Sequence, residues 1–297
     1  MKSGFVALGG RPNVGKSTLL NRLVGTKVAI VSDKPQTTRT RIIGVRNLAD
    51  GQIVYTDTPG IHRPVHRMNV RMVDAAVESL RQADVVALVT DVATRPGRGD
   101  RFVIDLLRDV RRPVFLILNK IDLVSKPSLL PVIERCRTAY AFAEIVPVSA
   151  LTGDNVDRLE RLFLDYLPEG PVLYPTDYLT DQPERVFVAE IVREKVLAHT
   201  HGELPYESAV VVDRFEEPDE QGLMRIYCSI LVDKPSQKPI VVGRAGAMIK
   251  RIGTASRLDL EAFFAARVFL DLHVKVRGQW REDDRMLDEM GVGRREG

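Results

Sequence analysis

The chain has 297 residues, 44% hydrophobic and 28% charged, enough for about two domains that each bury a core. Its apolar runs fall well short of the ~20 residues a membrane-spanning helix needs. Residues 184–297 carry 18 Lys+Arg against 20 Asp+Glu, net −2, and the residues before them net +5, so bulk charge does not announce a nucleic-acid binder.

Met1-Lys2-Ser3-Gly4 leads straight into an apolar strand, so no signal peptide is expected. Cys136 and Cys228 lack metal-type spacing, so a cytoplasmic protein with reduced, buried thiols is expected.

Phe5-Val6-Ala7-Leu8 reads as a buried strand that runs into Gly10-Arg11-Pro12-Asn13-Val14-Gly15-Lys16-Ser17-Thr18 and a helix through Leu23. A glycine-rich turn at a helix N-terminus cradles phosphate. Its N–H groups close on the oxygens, Lys16 neutralises the β/γ charge, and the Ser17 hydroxyl suits Mg²⁺. A chance glycine turn is the bland alternative, and the flanking strand and helix argue against it. Next comes Pro35-Gln36-Thr37-Thr38-Arg39-Thr40-Arg41, rich in hydroxyls and bases. It is either a solvated loop or a switch whose Thr38, or Thr37, reaches Mg²⁺ and the γ-phosphate.

Further strands are expected at Gln52–Thr56, Val85–Val89, Val114–Leu118 and Ile145–Val148, alternating with amphipathic helices to about Leu167. Near-continuous Val/Ile/Leu runs separated by helices indicate an α/β domain: a mostly parallel sheet with helices on both faces and ligands at the carboxyl strand ends. Asp57-Thr58-Pro59-Gly60 follows one such strand, so Asp57 can hold Mg²⁺ through water and the Gly60 N–H can approach a γ-phosphate. Asn119-Lys120-Ile121-Asp122 follows another. The Asp122 carboxylate matches the N1–H and N2 amine of guanine, whereas adenine offers neither donor and leaves the charge unpaired. Asn119 can brace the base edge and the phosphate loop, and the Lys120 stem can cover the ring. In Ser149-Ala150-Leu151 the Ala150 N–H would face guanine O6.

The stretch from Pro168 to Pro183 carries four prolines and no periodicity, which marks a linker. The expected division is a nucleotide domain at 1–170, a linker at 171–183 and a second domain at 184–297. The second domain reads as a helix at Glu184–Leu197, strands at Ser208–Phe215 and Leu223–Val232, a short helix before Gly243, a longer one to about Phe264, and a strand at Val268–Val276. This α-β-β-α-α-β order suits a smaller α+β domain. Gly243-Arg244-Ala245-Gly246 resembles the G-x-x-G loop of a KH domain (type II order), where a side-chain-free turn lets a nucleic-acid backbone press against a helix N-terminus. Arg244, Lys250, Arg251 and Arg257 follow with no acid before Leu258, a local +4 in a domain of net −2.

The segments Gly10–Thr18, Pro35–Arg41, Asp57–His62, Asn119–Asp122 and Ser149–Leu151 together resemble the Era family of bacterial GTPases. Arg185–Lys195, Pro205-Tyr206 and Gln279-Trp280-Arg281 extend the resemblance over nearly the whole chain. It implies a P-loop GTPase domain followed by a KH domain, with GTP/GDP and Mg²⁺ bound and the metal held by Ser17, Thr38 and Asp57. Slow hydrolysis would rest on Lys16, Thr38 and Gly60. Ile61 stands where Ras-like enzymes use glutamine to orient water, and it cannot hydrogen-bond that water. Asn13 is then a candidate to seat an accelerating K⁺, or else a loop cap; His62 reads as a solvated loop residue. In the KH loop, Arg244-Ala245 stands where Lys-Gly is more usual.

The implied partners are the 3′ region of small-subunit rRNA, with its anti-Shine–Dalgarno sequence, and the 30S subunit, bound by a monomer that assists subunit assembly. Weak peripheral association with the inner membrane face is a lesser alternative, with no amphipathic basic helix or lipidation motif to carry it. An RNA-binding adaptor that uses nucleotide for stability alone is a second reading. The Asn119–Asp122 motif argues against a third, a metabolic P-loop kinase.

Overall fold

The computed structural model describes residues 1–95 and 97–293, which divide into two compact units at Asp181/Gln182, with Val292 and Gly293 grouped with the first. In the first unit the elements are β1 (Lys2–Gly9), α1 (Lys16–Val24), β2 (Ile42–Asn47), β3 (Gly51–Asp57), α2 (Arg67–Gln82), β4 (Val85–Asp91), α3 (Arg98–Leu107), β5 (Val114–Asn119), α4 (Leu129–Ala139), β6 (Glu144–Pro147) and α5 (Val156–Tyr166). The sheet order is β2-β3-β1-β4-β5-β6, parallel except for β2 against β3.

Two apolar clusters explain why the strands read as unbroken hydrophobic runs. Val6, Leu8, Val85, Ala87, Phe115 and Ile117 face α1 and α5 through Leu19, Leu23 and Phe163. Their sequence neighbours Ala7, Val86, Leu88, Leu116 and Leu118 face α2 and α3 through Ala76, Leu80 and Val103. Alternate side chains thus serve opposite layers and none need be polar. Strand β2 was not anticipated. Its residues Ile43 and Val45 pack with Val54 as a third cluster, against Tyr174 and Tyr178.

Those tyrosines belong to the stretch expected as a linker, which is instead a strap on the first unit. Gln52 accepts from the Leu173 and Tyr174 N–H groups (2.8 and 2.9 Å), and the Val45 N–H donates to the Leu179 carbonyl at 2.9 Å. Strand β2 lies at the sheet edge, and the strap supplies partners its backbone would otherwise lack. The proline-rich sequence hides this because the strap forms neither helix nor strand of its own.

The second unit holds α6 (Glu184–His199), α7 (Leu204–Glu207), β7 (Ser208–Glu216), β8 (Leu223–Val232), α8 (Lys238–Val242), α9 (Ala247–Phe264), β9 (Arg267–Val276) and α10 (Asp284–Glu289). Strand β8 pairs antiparallel with β7 and parallel with β9. Phe187 of α6 stacks on Phe263 of α9 with ring centroids 3.9 Å apart. Trp280, fully buried, donates its indole N–H to the Glu207 carbonyl at 3.0 Å. Helices α7 and α10 add to the expected order. Cys228 is buried, Cys136 is half-buried, and both are free. No helix among the described residues is long and apolar enough to cross a membrane.

Candidate functional site

The carboxyl ends of β1, β3, β5 and β6 bring the expected nucleotide residues together. The turn after β1 is shaped for close backbone approach. Gly10 (φ 146°) and Gly15 (φ 94°) lie where L side chains are strained; a Cβ would meet the Val89 carbonyl oxygen at 2.3 Å or the Asn119 Nδ2 at 2.3 Å. Val14 is buried, and Gly15 opens α1 as its N-cap with no side-chain cap, leaving the first N–H groups for a ligand. Pro12 packs at Gly60, where an added Cβ would sit 2.8 Å from the proline nitrogen. The Lys16 ammonium lies over the Gly10 and Arg11 carbonyls at 3.3 and 3.0 Å. The Arg11 guanidinium itself turns away to Asp100 (2.9 Å).

Three oxygens from three segments converge. Ser17 Oγ lies 2.6 Å from Asp57 Oδ2 and 2.8 Å from Thr38 Oγ1, which is 3.1 Å from the same carboxylate oxygen. Thr37 Oγ1 instead donates to the Lys34 carbonyl at 2.6 Å, so the geometry separates the two threonines. Asp57 is wholly buried, and its Oδ1 has no hydrogen-bond partner among the described residues. Burial raises the Asp57 pKa, against the pull of Lys16, Ser17 and Thr38; burial likewise lowers that of Lys16, against Asp57. A hard divalent cation suits this cluster of oxygen donors and would supply the partner that Oδ1 lacks. Thr58 donates to the Leu8 carbonyl at 2.9 Å, and the Ile61 N–H donates to the Gly10 carbonyl at 3.0 Å, fixing the Pro59-Gly60 turn against the phosphate loop. Ile61 is fully buried. His62 is half-buried rather than solvated, its Nδ1 2.8 Å from the Gly60 carbonyl oxygen.

The base side is cross-braced. Asn119 donates from Nδ2 to the Val14 carbonyl (2.8 Å) and accepts at Oδ1 from the Ala150 N–H (2.9 Å), joining the phosphate loop to the Ser149-Ala150-Leu151 turn. Ser149 donates to exposed Asp122 at 2.5 Å. Asn13 (φ 64°) ties its side-chain amide to the Asp33 carbonyl at 2.6 Å, as a loop brace would. Thr18 lines the same cleft, while Leu151 is 69% exposed.

Sequence reasoning missed two residues here. Arg22 of α1 donates to the Ala150 and Leu151 carbonyls, clamping that turn. Asp91, ending β4, holds Lys120, which also donates to the Asn13 carbonyl. The apolar-to-polar change at Thr90-Asp91 was the available signal for Asp91.

In the second unit Gly243 (φ 74°) and Gly246 (φ 79°) form the turn before α9, with Ala245 left-handed at φ 50°. Arg244, Lys250, Arg251 and Arg257 are exposed. Lys250 and Arg257 line a groove of about 310 Å³ with Ile249, Gly253, Leu270 and Leu272, an apolar floor the sequence did not reveal. Arg251 is not in that lining and acts electrostatically on His199.

Residues 5–120 match the 50S ribosome-binding GTPase family, and 203–281 the KH domain family. GTPase Era of Geobacter metallireducens is 50% identical over 290 residues, 98% of this chain and 97% of that protein. A crystal structure of an Aquifex aeolicus Era variant bound to GDP and AlF4⁻ superposes with a TM-score of 0.95 at 40% identity, over 98% of this chain and 99% of that one. A crystal structure of Era with MgGDPNP and nucleotides 1506–1542 of 16S ribosomal RNA agrees equally well in TM-score, identity and coverage. Identity of 50% across 98% of this chain and 97% of a GTPase Era, with family matches to both halves, shows that the chain belongs to the Era family of GTPases.

Proposed function

We propose that the chain is a Mg²⁺-dependent GTP switch that binds single-stranded RNA near the 3′ end of small-subunit rRNA and assists 30S subunit assembly. The observation that carries the switch is the convergence of Ser17, Thr38 and Asp57, because Thr38 comes from the separate loop before β2 and its hydroxyl lies against the Ser17–Asp57 pair, where a γ-phosphate-bound metal would hold it. In this reading Ser17, Thr38 and Asp57 hold Mg²⁺, which neutralises phosphate charge when bound. Lys16 and the Gly10–Thr18 backbone, with the Asp57–Gly60 turn, hold the phosphates. Asn119, Lys120, Asp122 and Ser149–Leu151 hold guanine. Ile61 supplies no hydrogen bond to water, so slow turnover is expected. K⁺ seated by Asn13 is a further proposal, supported by the loop sequence and tested by comparing rates in K⁺ and Na⁺.

The RNA reading rests on the groove beside α9 and on the Era–16S complex at 40% identity. Gly246 sits in open space, and aspartate tolerates its left-handed backbone, so Gly246→Asp adds a carboxylate at the phosphate position without a clash. Affinity for the 3′-terminal rRNA segment should fall at least tenfold while GTP affinity holds. Titrations with a non-hydrolysable GTP analogue, GDP and no nucleotide test the switch, since any RNA gain from GTP must be returned as an equal GTP gain from RNA. RNA affinity identical in all three states would favour the adaptor.

A further inference from the structure

We infer that Asp91 is a positioning residue of the guanine site, holding the Lys120 ammonium against the phosphate loop. This deepens the proposed reading of Asn119–Asp122 as the base loop and rests on it. Lys120 Nζ is 2.8 Å from the Asn13 carbonyl oxygen and 2.8 Å from Asp91 Oδ2. It therefore bridges a carboxylate at the end of β4 and the backbone of the phosphate loop. Both Asn13 (φ 64°) and Lys120 (φ 68°) are non-glycine residues in the left-handed region, a costly backbone state that surrounding contacts must maintain. The bridge links these two strained positions to each other.

Asp91 is built to anchor that bridge. Its Oδ1 accepts from the Ala93 N–H at 2.9 Å, and its carbonyl accepts from Thr94, which aims Oδ2 at Lys120. Register across the parallel pair sets Asp91 opposite Asn119, and the Val92 N–H donates to the Asn119 carbonyl at 3.0 Å. The carboxylate side chain is 11% exposed and the lysine 31%, so solvent screens the pair less than it would a surface pair. A lysine left without this partner would lose one of its two anchors, and its stem would no longer be held along the base loop.

The test is a double-mutant cycle on the full chain, read as GDP and GTP dissociation constants by titration. Asp91→Asn keeps an acceptor for Ala93 and removes the charge. It should weaken both nucleotides about tenfold, with the loss in KM exceeding any loss in kcat. In a Lys120→Met background the same change should add less than twofold, because the partner is gone. Asp91→Glu, which restores the charge, should bind between Asp91→Asn and the natural chain. Equal loss in both backgrounds, no loss in the natural background, or Asp91→Glu as weak as Asp91→Asn would each overturn the assignment. Failure of the base-loop reading shows separately: Asp122→Asn would then leave the preference for GTP over XTP unchanged.

Discussion

The two units solve one problem in two ways. Each presents a glycine turn ahead of a helix whose N-cap glycine is left-handed and offers no side-chain cap, Gly15 before α1 and Gly246 before α9. Around Gly15 the protein closes in, with Asn119 Nδ2 2.3 Å from where a Cβ would lie, Lys16 6% exposed and Asp57 fully buried. A Cβ added at Gly246 would meet nothing within 4 Å, and the nearby cations are exposed. A cradle braced on every side selects a ligand of fixed size and excludes water, so its electrostatics are strong. An open cradle suits a polymer that enters and leaves laterally, with charge and an apolar floor in place of enclosure.

The sharpest way to break the comparison is to give each N-cap glycine a methyl group. Gly15→Ala combines left-handed strain with a collision against a buried amide that braces the loop. It should destabilise the nucleotide-free protein by about 3 kcal/mol and reduce GTP affinity more than a hundredfold. Gly246→Ala carries strain alone, about 1 kcal/mol, with GTP affinity intact. Thermal unfolding and nucleotide titration of both variants decide the matter, and similar losses would mean that the closed cradle is no more constrained than the open one. Gly243 is the exception in the open turn: its Cβ would sit 2.6 Å from Met248 Cβ, so substitution there disrupts the loop itself.

How much of this was visible beforehand follows from where the information sits. The turns Gly10–Thr18, Asp57–Gly60 and Asn119–Asp122 were legible as strand-end loops because each falls within a few consecutive residues at the end of an apolar run. The Arg22 clamp, the Asp91 bridge and the Leu270–Leu272 groove floor were not, because each acts on residues far away in sequence. Strand β2 and the strap hid for a related reason. Ile42–Asn47 follows a polar loop, and Tyr174 and Tyr178 have no period of their own; their order comes from the sheet edge they cover. Spacing alone left Thr37 and Thr38 open; the family resemblance favoured Thr38, and its hydroxyl is the one that lies against Ser17 and Asp57.

Enclosure also predicts a pH response specific to the first unit. Burial raises the Asp57 pKa, so the folded state holds that proton more tightly than the unfolded chain does. The stability this group contributes is full below the unfolded carboxylate pKa, near 3.8, and is lost as pH rises through the raised folded value. Lys16, lowered by burial, runs the other way: its cost stands at neutral pH and is relieved as pH approaches its unfolded value of 10.5. Nucleotide-free Asp57→Asn should therefore gain on the natural chain as pH climbs through the folded Asp57 pKa, then run parallel to it. Melting curves taken upward from about pH 4 show this; stability curves that stay parallel throughout would mean that burial does not govern Asp57. Adding Mg²⁺ and GDP should flatten the natural chain's dependence by supplying the missing counter-charge.

The smallest effect tests the open cradle from within. Ala245 sits at φ 50°, ψ 31°, inside the turn between Gly243 and Gly246, where its methyl group costs about 1–2 kcal/mol of backbone strain. Replacing it with glycine removes that strain but adds about 0.4–1 kcal/mol of unfolded-chain entropy. Ala245→Gly should then stabilise the second unit by a net of roughly 0.5 kcal/mol. The same change clears a Cβ from the surface against which a phosphate backbone would press, so RNA affinity should stay level or rise by up to about threefold. Unfolding of the two proteins under matched conditions, with the 3′-terminal rRNA segment titrated into each, measures both effects. Weaker RNA binding by a more stable Ala245→Gly protein would show that the ligand uses the alanine methyl, and that the turn is a side-chain contact surface more than a backbone cradle.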